Sequence, residues 1–134
     1  MCSWKRLLEI LEKYESENLE YKEAKNSFSY SELKKYCSGI ANCGGGILVL
    51  GVNDERVPIG TQAYPDYNNI PSRLFSDIGI VVAIDEYKKD GIRVLVFNVP
   101  SHNPGRLVKS DHIPYYRVGS SLVKMSDGIQ KKYY

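Results

Sequence analysis

Residues 41–54 read Ala-Asn-Cys-Gly-Gly-Gly-Ile-Leu-Val-Leu-Gly-Val-Asn-Asp, and this stretch decides the fold. Just before it, apolar residues recur at spacings of three and four and predict a helix, at Leu33, Tyr36, Cys37 and Ile40. The glycines at 44–46 end that helix, and Ile47–Val52 is an apolar run of strand length. Because such a run does not alternate with polar residues, it predicts a strand buried on both faces.

Further elements follow outward from this stretch. Ser29 and Glu32 have capping-box spacing at the start of the central helix. Periodicity and Pro71 predict two further helices, the first over Ser3–Tyr14 and the other beginning at Pro71. Alternating or β-branched segments predict strands over Asn18–Ala24, a hairpin of Ile80–Tyr87 with Ile92–Val99, and short strands at Tyr115–Val118 and Leu122–Met125. Ser101–Pro114 is predicted as a loop. The prediction is one α+β domain over residues 1–134, with a mixed β-sheet, a β-hairpin and about three α-helices.

Composition excludes several broad classes. The chain has 134 residues, 43% hydrophobic and 25% charged, which is typical of one globular domain rather than a disordered chain. Its apolar runs, such as Ile47–Leu50, are far shorter than the roughly 20 residues of a membrane span, so no membrane partner is expected. The three cysteines have no framework spacing, which indicates reduced thiols and a cytoplasmic location.

Charge is unevenly distributed although the net charge is only +2. Acidic residues outnumber basic ones six to three between residues 9 and 25, and basic residues outnumber acidic ones six to two between residues 101 and 134. The two segments could form two walls of one site, or simply two solvated faces.

Several kinds of site do not fit the motifs. The glycines at 44–46 follow a helix, whereas a phosphate-binding loop precedes one, so neither ATP nor NAD is expected. The cysteines and histidines contain no CxxC or HxxxH pair, so zinc is not expected either. A catalytic Cys or Ser triad has no supporting signature.

Three motifs follow one another in order. They are Glu15-Ser16-Glu17-Asn18-Leu19-Glu20-Tyr21-Lys22, then the stretch at 41–54, then Tyr115-Tyr116-Arg117-Val118-Gly119-Ser120. Together they resemble the Schlafen family, in particular its AlbA-like domain, over roughly residues 14–126. That family reads E-S-x-x-[LV]-E-[FY]-K, a helix ending in A-N-x-x-G-G, a [LI]-x-G-V-[DN]-[DN] strand, and later Y-x-R-x-G-S. Each motif alone is weak, whereas the ordered set is specific.

The resemblance implies a mixed α/β domain that binds RNA or DNA. In the nuclease members of the family, three acidic residues hold a divalent metal and cut structured RNA such as tRNA. The matching residues here are Glu15, Glu20 and Asp54. Carboxylate oxygens suit Mg²⁺ or Mn²⁺, either of which can activate a water beside a phosphate. Lys22, on the same strand face as Glu20, could hold the scissile phosphate as a point charge.

Two alternatives stand beside this interpretation of the acidic residues. Glu15 could be a solvated helix end and Asp54 a turn former, leaving a non-catalytic DNA- or RNA-binding module or a transcription-regulatory module. The vertebrate nucleases carry two copies of the domain and this chain carries one, so a homodimer is expected. The target favoured by the resemblance is RNA (tRNA-like).

The basic C-terminal third supplies the expected nucleic-acid contacts. Arg117 is the foremost candidate for a phosphate, followed by Arg106, Lys109 and Lys124. The alternative for Arg117 is a buried ion pair with a carboxylate. Tyr115 and Tyr116 point to opposite faces of a strand, so one belongs in the core and the other, taken as Tyr116, could stack on a base.

Overall fold

The computed structural model describes residues 3–133, with side chains described for residues 3–130. Within those residues the elements are α1 (Trp4–Leu11), β1 (Leu19–Lys22), α2 (Tyr30–Asn42), β2 (Gly46–Leu50), α3 (Ile70–Ile78), β3 (Ala83–Lys89), β4 (Ile92–Val99), β5 (Lys109–Ser110), β6 (Ile113–Val118), β7 (Ser121–Lys124) and α4 (Asp127–Tyr133). The α+β prediction is confirmed, and α4 is a helix beyond the three that the sequence predicted.

The helices begin where the sequence predicted them. The Ser3 hydroxyl accepts a hydrogen bond from the Arg6 amide, and the Ser29 hydroxyl accepts one from the Glu32 amide, which caps α1 and α2. Pro71 lies in the first turn of α3. The predicted first helix is too long, because α1 ends at Leu11 and the chain then turns toward β1.

Four strands form the main sheet in the order β1-β2-β4-β3. β1 and β2 are parallel, whereas β4 is antiparallel to both of its neighbours, so the sheet is mixed as predicted. The predicted hairpin is the β3–β4 pair, which turns at Asp90 and Gly91.

Both faces of this sheet are covered. Leu48 and Leu50 of β2 belong to the cluster formed with α2 and α3, and Val49 between them belongs to the cluster formed with α1. The same alternation holds along β4, where Phe97 faces α2 and α3 and Val96 faces α1. The predicted two-sided burial of the 47–52 run is therefore confirmed.

A second, three-stranded sheet in the order β5-β6-β7 packs on α2. β5 falls inside the segment predicted as a loop, because two residues are too short to carry a periodic signal. Its pairing with β6 is made across the turn at Asp111 and His112, both with positive φ angles. α2 thus lies between the two sheets. None of the helices in the described part of the chain is long and apolar enough to cross a membrane.

Candidate functional site

The first two sequence motifs lock together through Asn18. Its side-chain Nδ2 donates to the carbonyls of Cys43, at 2.9 Å, and Gly45, at 2.7 Å, while its own carbonyl accepts from the Ile47 amide. A Cβ at Gly46 would overlap the Asn18 backbone. The glycine run therefore lets the chain after α2 approach the start of β1, which agrees with a packing role rather than phosphate binding.

Glu20 lies at the buried centre of the site. The residue is 4% exposed, and its Oε2 accepts a hydrogen bond from Arg117 Nη2 at 3.2 Å. Its Oε1 lies 3.6 Å from Lys22 Nζ. A carboxylate so far from water is stabilised by pairing with cations, and here two cations approach it.

Glu15 forms a pair with Glu20. Its Oε2 accepts the Tyr21 amide at 3.0 Å, and its carboxyl is hydrogen-bonded to that of Glu20. Burial raises the pKa of Glu20 to about 7, and the hydrogen bond to Glu15 adds to the rise while Arg117 opposes it. Burial alone would raise the pKa of Glu15 too, but the hydrogen bonds from Glu20 and Tyr21 and the charges of Arg117 and Lys22 lower it. The pair therefore shares a proton well above the usual carboxyl range.

Arg117 is fully buried, which corrects its assignment as the foremost phosphate contact. Its Nη2 donates to the Ser16 carbonyl at 2.9 Å as well as to Glu20, and its guanidinium lies 5.6 Å from the centre of the Tyr36 ring. A guanidinium without solvent exposure cannot meet a strand on the surface. The alternative stated above, an ion pair with a buried carboxylate, is what the structure shows.

Asp54 and Glu15 line the same cavity of about 260 Å³, together with Tyr14, Tyr21, Arg56 and Ser120. Asp54 is exposed, in a turn where the Asn53 side chain accepts the amides of Glu55 and Val57. The cavity is thus acidic at Glu15 and Asp54, with Arg56 at its rim.

A second cavity, of about 530 Å³, adjoins the first at Ser120. Its lining includes Lys35 and Tyr36 of α2, Lys124 of β7, and Glu32. We call the two cavities together the central groove. One half is lined by Glu15 and Asp54, and the other half is lined by Lys35, Lys124 and Glu32.

The other predicted nucleic-acid contacts are dispersed. Lys109 lines a separate cavity of about 370 Å³ with Lys34 and His112, and Arg106 is exposed in the turn after Asn103. Tyr115 is buried and Tyr116 is half-buried, which agrees with their predicted alternation. Of the basic residues named from the sequence, Lys124 is therefore the one that lines the central groove.

The largest cavity, of about 780 Å³, lies elsewhere, between the loop at Thr61 and the β3–β4 hairpin. Arg93 there donates to the carbonyls of Thr61, Ala63 and Tyr64 and is paired with Glu86 at 2.7 Å. None of the residues of the three motifs that the structure describes lines it. We therefore place the candidate site in the central groove.

The side chains of this site are of the type that binds a divalent metal, but they are not arranged around one position. Carboxylate oxygens are the ligands that Mg²⁺ prefers, and Glu15 contacts Glu20 and shares a cavity with Asp54. Among the described residues, however, no group of three or more His, Cys, Asp or Glu side chains is placed to hold a metal ion. The structure thus joins Glu15 to each of the other two acidic residues without gathering all three.

Several residues that line the central groove were not named as site residues from the sequence, among them Tyr14, Lys35, Arg56 and Ser120. Ser120 belongs to the third motif, so the motif itself was a signal for it. The other three lie in a helix or in turns and carried no pattern that distinguished them from solvated residues.

This chain is similar to known proteins both in its sequence motifs and in its fold. The family model described as Schlafen, AlbA_2 matches residues 15–126. A solution structure of the N-terminal domain of a putative ATP-dependent DNA helicase RecG-related protein from Nitrosomonas europaea is similar, at 25% identity and a TM-score of 0.53, covering 90% of this chain and 92% of that one.

The crystal structure of the DIP2311 protein from Corynebacterium diphtheriae shares the fold, with a TM-score of 0.67 at 19% identity. The match covers 87% of this chain and 23% of the DIP2311 chain. No curated protein gives a significant match. The family model spans most of the chain and all three motifs, and such membership points to a nucleic-acid-binding domain. The chain therefore belongs to the Schlafen AlbA_2 family.

Proposed function

We propose that this domain binds nucleic acid along the central groove, with RNA (tRNA-like) preferred over DNA. The observation that carries the proposal is that Ser120 lines both cavities, because one of them is lined by Lys35 and Lys124 and the other by Glu15 and Asp54. Membership of the Schlafen AlbA_2 family supports it.

The basic half of the groove supplies the affinity. Lys124 is exposed at the end of β7, and Lys35 reaches the same cavity from α2, where it is paired with Glu32 at 3.7 Å. A surface pair of this kind is weak, so a phosphate can replace Glu32 at little cost. Lysines that contact phosphates bind without reading sequence, and the affinity falls steeply with salt.

Anisotropy of a labelled RNA hairpin and of a duplex DNA tests the proposal. We expect tighter binding to the hairpin than to the duplex DNA. We also expect the affinity of Lys124→Ala and of Lys35→Ala to depend less steeply on salt, because each variant releases about one counterion fewer on binding. Lys89→Ala is the matched control, since Lys89 is an exposed lysine that lines the largest cavity instead. Loss of binding in Lys89→Ala alone would contradict the proposal.

A second candidate function, metal-dependent endoribonuclease activity, is favoured by the position of Glu15 between Glu20 and Asp54. Glu15, Glu20 and Asp54 would hold Mg²⁺ or Mn²⁺, which supplies an activated water and offsets charge on the phosphate. Lys22 Nζ lies 3.6 Å from Glu20 and its side chain is 36% exposed, so it is close enough to the surface to hold a phosphate.

The rival interpretation is a non-catalytic binding or regulatory module. It is favoured by the partners of Glu20, because a carboxyl that is paired with Arg117 and Lys22 already has a structural task. Cleavage of labelled tRNA in Mn²⁺, with EDTA as the blank, separates the two functions. Asp54→Asn should abolish cutting and leave the fold intact, and Asp66→Asn, an exposed loop acid, should cut normally. Binding without cutting would favour the module.

We also propose that the domain acts as a homodimer in the cytoplasm. In such a dimer, two domains would face one another across a bound strand. Cys37 and Cys43 are free thiols, which suits a reducing compartment. Sedimentation at high concentration tests the dimer, and a monomer there would contradict it.

A further inference from the structure

Tyr14 and Arg56 form an ordered pair at the rim of the acidic half of the groove. Tyr14 is 75% exposed, and the Arg56 guanidinium carbon lies 3.9 Å from the centre of its ring. A cation this close to a ring is held by the ring's electron density. The ring therefore has a fixed partner on one side, while most of its surface is open to solvent.

Arg56 is itself held by the backbone. Its Nη1 donates to the carbonyls of Leu11, at 3.1 Å, and Glu12, at 2.9 Å, at the C-terminal end of α1, where carbonyls lack helical partners. Its own φ is +62°, in the left-handed region that a residue with a side chain adopts at a cost. The Asn53 side chain stabilises this turn by accepting two backbone amides. The guanidinium is thus positioned before any ligand arrives.

The pair opens onto the candidate site. Tyr14 and Arg56 line the same cavity as Glu15 and Asp54, and that cavity meets the lysine-lined one at Ser120. A strand whose phosphates lie on Lys35 and Lys124 would bring its next nucleotides to Tyr14.

We propose that the Tyr14–Arg56 pair is a stacking platform for an unpaired nucleobase of the bound strand; the inference rests on the proposed nucleic-acid binding and adds a preference for unpaired nucleotides. Every base has a flat apolar face that stacks on an aromatic ring, so the platform accepts a base without reading its identity. A base inside a duplex already has a neighbour on both faces and cannot stack on the ring.

The platform also determines which linkage of the strand lies beside the acidic residues. The base held at Tyr14 places its own sugar and phosphate beside Glu15 and Asp54, which share that cavity. The linkage next to an unpaired nucleotide is therefore the one presented to the acidic residues.

Three ligands test the platform: a single-stranded oligonucleotide, the same sequence fully paired in a duplex, and a free mononucleotide. Tyr14→Ala should weaken single-strand binding by about ten-fold, the loss expected for one stacked base. Tyr14→Phe should bind within about two-fold of the wild type, because the ring face is retained. Paired duplex should be insensitive to Tyr14→Ala, and the free mononucleotide should bind far more weakly than the strand.

Fluorescence of 2-aminopurine in the single strand gives a direct signature. Stacking on the ring should quench the probe in the wild type and in Tyr14→Phe, and the quenching should disappear in Tyr14→Ala. Phe75→Ala is the matched control, because Phe75 is an aromatic residue 58% exposed on α3 and outside both cavities of the groove.

Arg56→Asn is the second variant, since Asn tolerates a left-handed φ but its side chain is too short to contact the Tyr14 ring as the guanidinium does. It should release the ring and weaken single-strand binding, with the fold retained in circular dichroism.

The outcomes separate the two proposals. A wild type that binds no nucleic acid contradicts the proposed function as a whole. A wild type that binds the single strand, with Tyr14→Ala binding equally well, overturns the platform alone. Tight binding of the free mononucleotide at Tyr14 would overturn it too, in favour of a small-molecule site.

Discussion

The two sheets of this domain pack against α2 by different means. The four-stranded sheet contacts α2 through apolar side chains, among them Leu48, Leu95 and Phe97, which are fully buried. The three-stranded sheet contacts the other side of α2 through buried hydrogen bonds in addition to the apolar side chains of Val108 and Leu122. Ser38 accepts the Tyr115 amide and donates to the Val108 carbonyl, and Asn42 makes three hydrogen bonds to Val108 and Tyr115.

The difference explains why the family motifs include Asn42 and Arg117. Apolar packing tolerates many residues of similar size, whereas a buried amide or guanidinium needs particular partners. Asn42, in the second motif, joins α2 to the three-stranded sheet. Arg117, in the third motif, joins that sheet to β1. The motifs therefore hold in place the sheet that carries Ser120 and Lys124 to the groove.

Truncation of the main core should have the largest effect. Phe97→Ala removes a fully buried ring, and we expect the free energy of unfolding to fall by about 4 kcal/mol. Urea unfolding followed by circular dichroism measures it. Val123→Ala, half-buried on the small sheet, is the comparison and should cost no more than about 1 kcal/mol. Equal losses would remove the distinction between the two sheets.

Removal of Arg117 should come next. Arg117→Met removes the buried cation beside Glu20 and leaves only the more distant Lys22, and we expect a loss of about 3 kcal/mol. In a double-mutant cycle with Glu20→Gln, the double variant should be more stable than the sum of the single losses by about 1 kcal/mol, because the unpaired charge is gone. Strict additivity would show that the ion pair does not couple the two motifs.

Loss of the polar contacts on α2 should be smaller and local. Asn42→Ala leaves the Val108 amide without its acceptor and removes one donor each from the Val108 and Tyr115 carbonyls, of which Val108 keeps the Ser38 hydroxyl, and we expect a loss of about 2 kcal/mol. Hydrogen exchange of the Val108 amide should accelerate far more than that of Val96 in the main sheet. Acceleration of both amides by the same factor would instead indicate that the two sheets unfold as one unit.

The pH dependence of stability is the smallest expected effect. Glu20 keeps its proton to a pKa of about 7 in the folded protein, and the unfolded chain releases it near 4.5. Between these values the unfolded chain binds fewer protons, so stability falls as pH rises and levels off above about 7. Relative to Glu20→Gln, the wild type should lose on the order of 1 kcal/mol from about pH 5 to about pH 7. A flat difference between the two proteins would contradict the raised pKa.

The elements of the main sheet were predictable because their signals are local. The pattern that predicts the run at 47–52 and the pattern that predicts the β3–β4 hairpin each lie within the segment itself. The Ser29 cap is local as well, since its hydroxyl accepts an amide three residues ahead.

The site was predictable only in part, because its contacts are distant in sequence. The motifs named Glu15, Glu20 and Asp54, and the structure brings Glu15 beside Glu20 and into one cavity with Asp54. Arg117 pairs with Glu20 across 97 positions, and no pattern around residue 117 distinguishes that pairing from an exposed cation. Lys35 reaches the groove only because β7 packs beside α2.

One measurement tests the central claim most directly: backbone amide chemical shifts of the protein titrated with a single-stranded RNA. If the strand binds along the central groove, we expect the shifts to be concentrated at the residues that surround it, which are residues 14–16, 35–36, 54–56 and 118–124. Shifts concentrated at residues 61–65 and 86–93, around the largest cavity, would contradict it.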